Sequence, residues 1–377
     1  MNKIMIIAGE ASGDLHGAAL IAALKNIKPQ LLFYGVGGDN MINEGLMPQF
    51  HIRDLAFLGF AEVIKHLPFI RKAQKKLLAI IQKEDIPTLV LIDYPGFNLN
   101  FAKRARRLGV NIVYYISPQI WAWGRGRVKK IQERVDKMLV VFPFEKDFYE
   151  SFGVDVTYVG HPLVEIIENY KSIDKDELVK MYSLDSEKGF LLLMPGSRKH
   201  EIEKIFPAAL DAAKRLAQKF NLQIVVPCAQ NIDESIFSNH ADGKNFTVVR
   251  NNVYDFMKYS KFGMIKSGTS TLEAAIFGLP FVVIYKTTDL TYRIGKFLVK
   301  IKHLAMPNII ADRYIVKEFI QDELRSDKIF NYCAVLMGNE VELNKMKKEL
   351  SLIKAALGTT GASKKAAEEI VVFSNEG

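Results

Sequence analysis

The chain has few cysteines and no long apolar run. Only two of its 377 residues are cysteine, Cys228 and Cys333, and neither belongs to a Cys-x-x-Cys motif or a Cys/His cluster. A disulfide framework and a structural zinc site are therefore unexpected, and a reducing compartment fits. No stretch reaches the ~18 apolar residues of a membrane-spanning helix, and the first apolar run, 4–9, is too short for a signal sequence. We expect a cytoplasmic protein, which leaves attachment to a membrane surface open.

The chain does contain enough apolar residues for a core, and it has an excess of positive charge. Hydrophobic residues make up 49% of the sequence and charged residues 25%, as in ordinary globular proteins. Its length of 377 residues favours two domains. Lysine plus arginine exceed aspartate plus glutamate by 51 − 42 = 9. This excess suits nucleic acid, phosphorylated substrates or an anionic membrane, but lysines on solvated faces would also produce it.

Short apolar runs alternate with amphipathic stretches, which predicts βα units and parallel sheets. The predicted strands of the first half are Lys3–Ala8, Leu31–Val36, Thr88–Ile92, Asn111–Tyr115, Lys137–Phe142 and Val154–Val159. Those of the second half are Phe190–Met194, Gln223–Pro227, Phe246–Arg250, Phe262–Ile265 and Phe281–Tyr285. The charged stretch 165–188 has no strand pattern and is interpreted as a connection with one short helix. We therefore expect two doubly wound domains, 1–165 and 166–345, followed by helices in 346–377.

Ligands of such sheets bind beyond the carboxyl ends of the strands, and two motifs lie there in the first half. The segment Gly9-Glu10-Ala11-Ser12-Gly13-Asp14 follows the first strand. Its glycines and the helix start behind it favour a phosphate or sugar, and the alternative is a tight turn with Ser12 as helix N-cap. Asp93 ends the strand 88–92, where a general base belongs; the alternative is that it only forms the turn.

Both tryptophans of the chain lie in one segment. Trp121 and Trp123 are followed by four cations, Arg125, Arg127, Lys129 and Lys130. Tryptophans are commonly buried, but two of them beside four cations favour contact with a phosphate-bearing amphiphile or with nucleic acid.

Two further motifs follow strands of the second half. Ser197 and Arg198 lie in a glycine-containing turn after strand 190–194, where an arginine is well placed to bind a diphosphate. The alternative is that Ser197 caps the helix and Arg198 is solvated. The run Gly268-Thr269-Ser270-Thr271-Leu272-Glu273 opens a helix whose N-terminus can receive phosphate oxygens, while Glu273 can reach ribose hydroxyls. Ser270 and Glu273 also match a capping box.

Two other patterns have weaker support. Asp174-Lys175-Asp176 resembles a metal-binding D-x-D motif, but Asp174 with Glu177 is better explained as the start of a helix. His161 has no partner at metal-ligand spacing, and we interpret it as a hinge or cleft residue.

Taken in order, the motifs resemble those of the lipid-A-disaccharide synthase family. The matching segments are 9–14, 92–98, 117–123, 142–145, 160–162, 195–198, 267–273 and Pro307-Asn308. The resemblance implies an α/β GT-B fold, with two Rossmann-like domains facing a cleft. It also implies inverting transfer of 2,3-diacylglucosamine from UDP to 2,3-diacylglucosamine 1-phosphate, which gives the β-1,6-linked disaccharide 1-phosphate and UDP.

The resemblance also implies roles for individual residues. Asp93 would be the base, Ser197 and Arg198 would hold the diphosphate, and Glu273 the ribose; Gly268 to Thr271 would complete the donor site. The substrate contacts would include Gly9, Glu10, Ser12, Gly13, Asp14, Trp121, Trp123 and Asn308. No metal, cofactor or nucleic acid is expected, since the UDP-sugar is a substrate; a homodimer is possible. Gly96 and Gly124 depart from the family pattern, which affects the acceptor contacts. The alternatives are another UDP-N-acetylglucosamine transferase or epimerase of this fold, or a nucleic-acid-binding protein.

A final segment predicts peripheral attachment to a membrane surface, which the resemblance implies is the cytoplasmic face of the inner membrane. The stretch Leu55–Phe69 is rich in apolar residues and is followed by a basic cluster, Arg71, Lys72, Lys75 and Lys76. Apolar residues beside basic ones are typical of an interfacial helix on anionic lipid. The alternative is an ordinary core helix.

Overall fold

The apolar runs of the sequence form the strands of two parallel sheets, each in its own unit. The computed structural model describes residues 2–55, 67–118, 126, 128–230, 232–238, 245–288, 292 and 302–376. The first unit comprises Met1–Glu168 and Leu357–Gly377, and the second comprises Asn169–Ala356. The predicted helical segment 346–377 is therefore divided between the units: residues 346–356 belong to the second unit and residues 357–377 to the first.

The described part of the first unit alternates strands with helices. Its elements before the second unit are β1 Lys3–Ala8, α1 Ala11–Ile27, β2 Leu32–Gly37, α2 Asp39–Asn43, β3 Leu46–His51, α3 Ile52–Leu55, α4 Leu67–Lys83, β4 Thr88–Ile92, α5 Pro95–Ala105, β5 Asn111–Tyr115, α6 Val128–Gln132, β6 Lys137–Val140, α7 Pro143–Glu150, β7 Val156–Tyr158 and α8 Pro162–Glu168.

The second unit repeats this pattern. Its described elements are α9 Lys175–Met181, β8 Gly189–Met194, α10 Lys199–Phe220, β9 Leu222–Pro227, α11 Ser235–Ser238, β10 Thr247–Val249, α12 Val253–Tyr259, β11 Ser260–Lys266, α13 Thr269–Ile276, β12 Phe281–Tyr285, α14 Met306–Ala311, β13 Glu318–Ile320, α15 Ser326–Met337 and α16 Glu340–Ala356. The chain then re-enters the first unit as α17 Ala362–Glu376, which packs on α1.

The two sheets share one topology. The strand order is β3-β2-β1-β4-β5-β6-β7 in the first and β10-β9-β8-β11-β12-β13 in the second, and every strand pair is parallel. The central strand β4 is buried along its whole length, and β1 along all but its first residue, Lys3. Helices cover both faces of such sheets, which is why their strands are nearly continuous apolar runs.

The observed elements correct the sequence prediction in two places. Strands β3 and β13 were not predicted, because β3 is interrupted by Pro48 and β13 has only three residues; both lie at sheet edges. The stretch 165–188 contains parts of two helices, α8 and α9, instead of one. Asp174 is the N-cap of α9, and its carboxylate accepts a hydrogen bond from the Asp176 N–H at 2.8 Å. The helix-start interpretation of the D-x-D pattern is thereby confirmed.

Candidate active site

The predicted motifs lie at the two points where the strand order reverses. In the first unit this point is between β1 and β4, where Ala8 pairs with Ile92, so Gly9 and Asp93 follow neighbouring strand ends. In the second unit it is between β8 and β11, where Met194 pairs with Ile265. Such reversal points are where doubly wound sheets bind ligands.

Asp93 lies in a strained turn at the end of β4. Its φ is 43° and that of Tyr94 is 48°, so two successive non-glycine residues adopt the left-handed conformation. The Asp93 carbonyl oxygen accepts hydrogen bonds from Asn98 Nδ2 at 2.7 Å and from the Tyr114 hydroxyl. Backbone strain of this kind is maintained by its surroundings and concentrates at functional sites.

The surroundings of the Asp93 carboxyl change its acidity. Burial, together with the nearby charge of Glu10, raises its pKa from 3.8 to about 7, although a hydrogen bond from the Tyr94 backbone acts in the opposite direction. A carboxyl group that titrates near neutral pH is suited to general base catalysis. No neighbouring atom of the described residues lies within 4 Å of the place that a Cβ atom on Gly96 would take.

The glycines after β1 serve packing. A Cβ atom on Gly9 would lie 2.2 Å from Cγ of Tyr94. The Tyr94 ring therefore packs against Gly9 at the position where a ligand was expected. Gly13 lets α1 approach the sheet, since its Cβ atom would lie 3.3 Å from that of Ala8. Helix α1 begins at Ala11 with Glu10 as N-cap, so Ser12 lies inside the helix and the N-cap alternative is wrong. Glu10 is exposed beside this turn.

Asp14 is engaged within the first unit. Its carboxylate is 2% exposed. It accepts hydrogen bonds from the backbone N–H groups of Gly38, Asn40 and Met41, at 2.6, 3.1 and 3.0 Å, and from Asn40 Nδ2 at 2.8 Å. The substrate contact expected of Asp14 is therefore replaced by a positioning role: this carboxylate holds the start of α2 beside α1.

The turn after β8 presents Ser197 and Arg198. Ser197 is exposed, and the Arg198 side chain is 35% exposed. Arg198 itself is the N-cap residue of α10, so Ser197 lies before the cap and the capping alternative is wrong. The buried carboxylate of Glu201 accepts a hydrogen bond from the Ser197 N–H at 3.3 Å and lies 3.7 Å from Arg198 Nη1.

The helix after β11 begins two residues earlier than a capping box of Ser270 and Glu273 requires. Gly268 is the N-cap of α13, with φ 154°, so Ser270 is inside the helix. Thr269 is exposed, but Thr271 is buried, and its hydroxyl donates to Gly268 O at 2.8 Å and accepts from Met306 N at 3.3 Å. Thr271 thus fixes the loop and leaves Gly268, Thr269 and Ser270 to face a ligand.

Glu273 is held by two hydroxyl groups. Tyr254 donates to its Oε1 at 2.9 Å, and Ser270 also bonds to its side chain. Burial raises the pKa of Glu273, although both hydrogen bonds oppose the shift. A carboxylate fixed in this way is suited to accept hydrogen bonds from a ribose.

Asn308 is fully occupied by its own unit. It is completely buried, and its Nδ2 donates to Val316 O at 2.8 Å and to Glu318 Oε1 at 2.9 Å. Its Oδ1 accepts from the backbone N–H groups of Ile315 and Val316. The substrate contact expected of Asn308 is therefore corrected: it shapes the loop between α14 and β13.

Other predictions fall outside the described residues. These include Trp121, Trp123 and Gly124, the cations Arg125 and Arg127, and most of the segment 55–69. Within the described ranges, no three His, Cys, Asp or Glu side chains are grouped so that they could hold a metal ion. None of the helices in the same ranges is long and apolar enough to cross a membrane.

Three residues of these sites were given no role by the sequence prediction, although Asn98 lies within the matched segment 92–98. Asn98, Glu201 and Lys266 contact the candidate residues or join the motif segments. Asn98 and Glu201 lie on the first turns of α5 and α10, so a search for polar residues on the first helical turn after each strand would have found both.

Comparison with known proteins supports the fold across both units. A structure of UDP-GlcNAc 2-epimerase from Neisseria meningitidis bound to UDP-GlcNAc superposes with a TM-score of 0.70 at 12% identity, covering 98% of this chain and 100% of that one. A co-structure of S. aureus MnaA with UDP gives a TM-score of 0.68 at 17% identity, covering 100% and 97%. These likenesses define the class of protein: a two-unit α/β chain with the GT-B fold, as predicted.

The sequence comparisons are more specific. The family model described as lipid-A-disaccharide synthetase matches residues 4–371. The lipid-A-disaccharide synthase of Geobacter sulfurreducens is 40% identical over 369 residues, covering 97% of this chain and 96% of that protein. The synthase of Myxococcus xanthus is 36% identical over 372 residues, covering 98% and 97%. The chain belongs to the lipid-A-disaccharide synthase family.

Proposed function

We propose that the protein transfers 2,3-diacylglucosamine from UDP to the 6-hydroxyl of 2,3-diacylglucosamine 1-phosphate. The products are the β-1,6-linked disaccharide 1-phosphate and UDP. Family membership over residues 4–371 supports the reaction class. The observation that carries the chemistry is Asp93, a carboxyl group at a strand end whose pKa is raised to about 7.

The mechanism assigns the base to the first unit. Asp93, as carboxylate, takes the proton of the acceptor 6-hydroxyl while that oxygen attacks the anomeric carbon. The attack comes from the face opposite the leaving UDP, so the configuration inverts. The transition state resembles an oxocarbenium ion, as in glycoside hydrolysis, and a positioned base contributes roughly 100- to 10,000-fold to such a step.

The donor is assigned to the second unit. The departing diphosphate gains negative charge, and in this proposal the Arg198 guanidinium and the N–H groups at the start of α13 stabilise it. Glu273 is placed to bind the ribose. In this proposal the UDP-sugar is a substrate, and the chain needs no separate cofactor.

Product analysis tests the proposal. Purified protein is incubated with UDP-2,3-diacylglucosamine and 2,3-diacylglucosamine 1-phosphate, and the products are identified by mass spectrometry and by the anomeric proton coupling. We expect a β-linked disaccharide and one UDP per turnover, with Asp93→Asn inactive. Conversion of UDP-N-acetylglucosamine without an acceptor would instead indicate an epimerase and contradict the proposal.

We also propose that the protein attaches to the anionic cytoplasmic surface of the inner membrane. Arg71, Lys72, Lys75 and Lys76 are all exposed on α4, while Ala73, Leu77 and Ile81 of that helix are buried. Basic side chains are therefore presented to solvent directly after the apolar segment. Each such residue near an anionic surface contributes about 1 kcal/mol to binding.

A further inference from the structure

A buried carboxylate joins the two motif segments of the second unit. Glu201, on the first turn of α10, is 7% exposed in its side chain. Its Oε1 lies 2.9 Å from Nζ of Lys266 and 3.7 Å from Nη1 of Arg198. Its Oε2 accepts the hydrogen bond from the Ser197 N–H. One side chain thus contacts both the turn after β8 and the last residue of β11.

The backbone accommodates this arrangement. A Cβ atom on Gly196 would lie 2.7 Å from Oε2 of Glu201, and the φ of Gly196 is 136°. Only glycine fits at this point, because the carboxylate occupies the space a side chain would need. The turn that carries Ser197 and Arg198 is therefore built around Glu201.

Lys266 is held at the edge of the donor site. Its side chain is 20% exposed, so its ammonium group can reach a ligand. Its Nζ lies 3.8 Å from the position that a Cβ atom on Gly268, the N-cap of α13, would take. The ammonium group is thus beside the helix start assigned to the phosphates and in the same ion-pair cluster as Arg198.

The charges of this cluster suit a diphosphate. Arg198 and Lys266 both lie within ion-pair distance of Glu201 Oε1, so two cationic groups meet at this point of the second unit. A buried carboxylate is stable only when it is paired and hydrogen-bonded, and here its partners are these cations and the Ser197 N–H. The same pairing prevents the long lysine side chain from extending into solvent before a ligand arrives.

We propose that Lys266 is a second cationic ligand of the donor diphosphate and that Glu201 is the positioning residue that orients Lys266 and the Ser197–Arg198 turn. The proposal rests on the proposed function only in taking a nucleoside diphosphate as the ligand of the second unit.

Calorimetric titration with UDP and with uridine tests the role of Lys266. We expect Lys266→Met to weaken UDP binding about 10- to 100-fold, the usual effect of losing one charge-assisted contact, and to leave uridine binding unchanged. Lys266→Arg should retain most of the UDP affinity, and Arg198→Met provides the comparison for a diphosphate ligand. Lys261→Met removes the same charge from an exposed residue near the start of β11 and should change neither affinity.

Turnover of the same variants tests Glu201. Glu201→Gln keeps an acceptor for the Ser197 N–H but loses both ion pairs, so we expect kcat to fall roughly 3- to 30-fold while UDP affinity is kept or rises. In the Lys266→Met background the same change should have a smaller effect, because interacting residues are not additive.

Several outcomes would overturn the inference. UDP affinity equal to the wild type in folded Lys266→Met, or equal losses of UDP and uridine binding, would remove Lys266 from the diphosphate site. Fully additive effects of the Glu201 and Lys266 variants would remove the positioning role. A wild-type protein that binds UDP but forms no disaccharide would refute the proposed function and leave this inference standing; one that does not bind UDP would refute both.

Discussion

The charge of Glu10 raises the pKa of Asp93 across the strand ends of β1 and β4. The two residues follow neighbouring strands of the first sheet, and Ala8 and Ile92 just before them are paired. Burial makes the larger contribution to the shift and Glu10 adds to it. The result is a carboxyl group that changes its protonation near pH 7, where a small change in its surroundings has a measurable effect on rate.

The pH dependence of kcat/KM should reveal the effect of Glu10 on the protonation of Asp93. Because Asp93 acts as base only when ionised, kcat/KM should rise with pH up to about 7 and then level off. Glu10→Gln removes a like charge and should move this rise to lower pH. Glu150→Gln, an exposed change at the end of α7, is the matched control and should leave the profile unchanged. An identical profile in Glu10→Gln would show that Glu10 does not influence the base.

The raised pKa of Asp93 also predicts that Asp93→Asn stays stable at alkaline pH. The folded-state pKa is about 7 and the ordinary value is 3.8. The folded protein therefore holds the Asp93 proton more tightly than the unfolded chain does. This difference stabilises the folded protein fully below pH 4, and the stabilisation is lost as the pH rises through 7. Asn also tolerates the left-handed φ of 43°. At pH 8, Asp93→Asn should be at least as stable as the wild type in thermal unfolding, yet inactive. Lower stability with partly retained turnover would support the turn-forming interpretation instead.

Asn98 should be needed for the conformation of the Asp93 turn. Its completely buried Nδ2 donates to Ile92 O at 3.2 Å and to Asp93 O at 2.7 Å. Asn98→Ala should lower the free energy of unfolding by about 2–3 kcal/mol, since two buried carbonyl groups lose a donor, and should also lower kcat. Denaturant unfolding and turnover assays measure the two effects.

Asn100 provides the matched control for this prediction. It lies two residues further along α5, exposed, and donates to Gly96 O at 2.8 Å. Asn100→Ala should change stability by less than about 0.5 kcal/mol. Equal effects of the two substitutions would show that Asn98 has no special part in holding the turn.

The sequence predicts the centre of each sheet better than its edges. β1, β4, β5 and β12 begin and end at the predicted residues. These strands are buried on both faces, so they appear as uninterrupted apolar runs. The edge strands β3 and β13 have no such run and were not predicted.

The candidate site was predictable in position but not in detail. Ligands of parallel sheets bind beyond the carboxyl ends of the strands, so Asp93 and Arg198 could each be placed from the predicted strand that precedes it. The contacts of Asp14 and Asn308 could not be predicted, because their partners come from loops whose position depends on the tertiary fold, such as Gly38 to Met41 for Asp14. A buried polar residue that shapes a loop and an exposed one that binds a ligand have the same appearance in a sequence motif.

A buried histidine pair should make the protein sensitive to acid. His16 and His161 are 4% and 5% exposed, with ring centroids 5.9 Å apart. Burial lowers the pKa of His16 to about 4, and burial together with His16 lowers that of His161. The unfolded chain takes up these protons from about pH 6.5 downward and the folded chain does not, so stability falls as the pH drops from 6.5 toward 4.

The unfolding free energy of a histidine variant tests this dependence. Below pH 6, each histidine lowers the free energy of unfolding by up to about 1.4 kcal/mol for each unit that the pH falls. His16→Gln removes one of the two groups and should give a flatter dependence between pH 7 and 5. His200→Gln, at an exposed histidine of α10, should keep the wild-type slope. An unchanged slope in His16→Gln would mean that His16 does not resist protonation in the folded protein.

Binding to anionic vesicles should depend on both parts of the proposed membrane segment. Replacement of Phe57, Phe60 and Ile64 by polar residues should reduce binding while the protein stays folded; unfolding would favour the core-helix interpretation.

The double variant Arg71→Glu, Lys75→Glu tests the exposed basic face of α4. At about 1 kcal/mol for each basic residue near the surface, losing two should weaken binding by at least roughly 30-fold at low salt. Lys347→Glu, Lys348→Glu makes the same charge change on α16 of the second unit and should bind like the wild type. Equal losses in both double variants would indicate attraction by net charge alone, because a specific contact surface should distinguish α4 from α16.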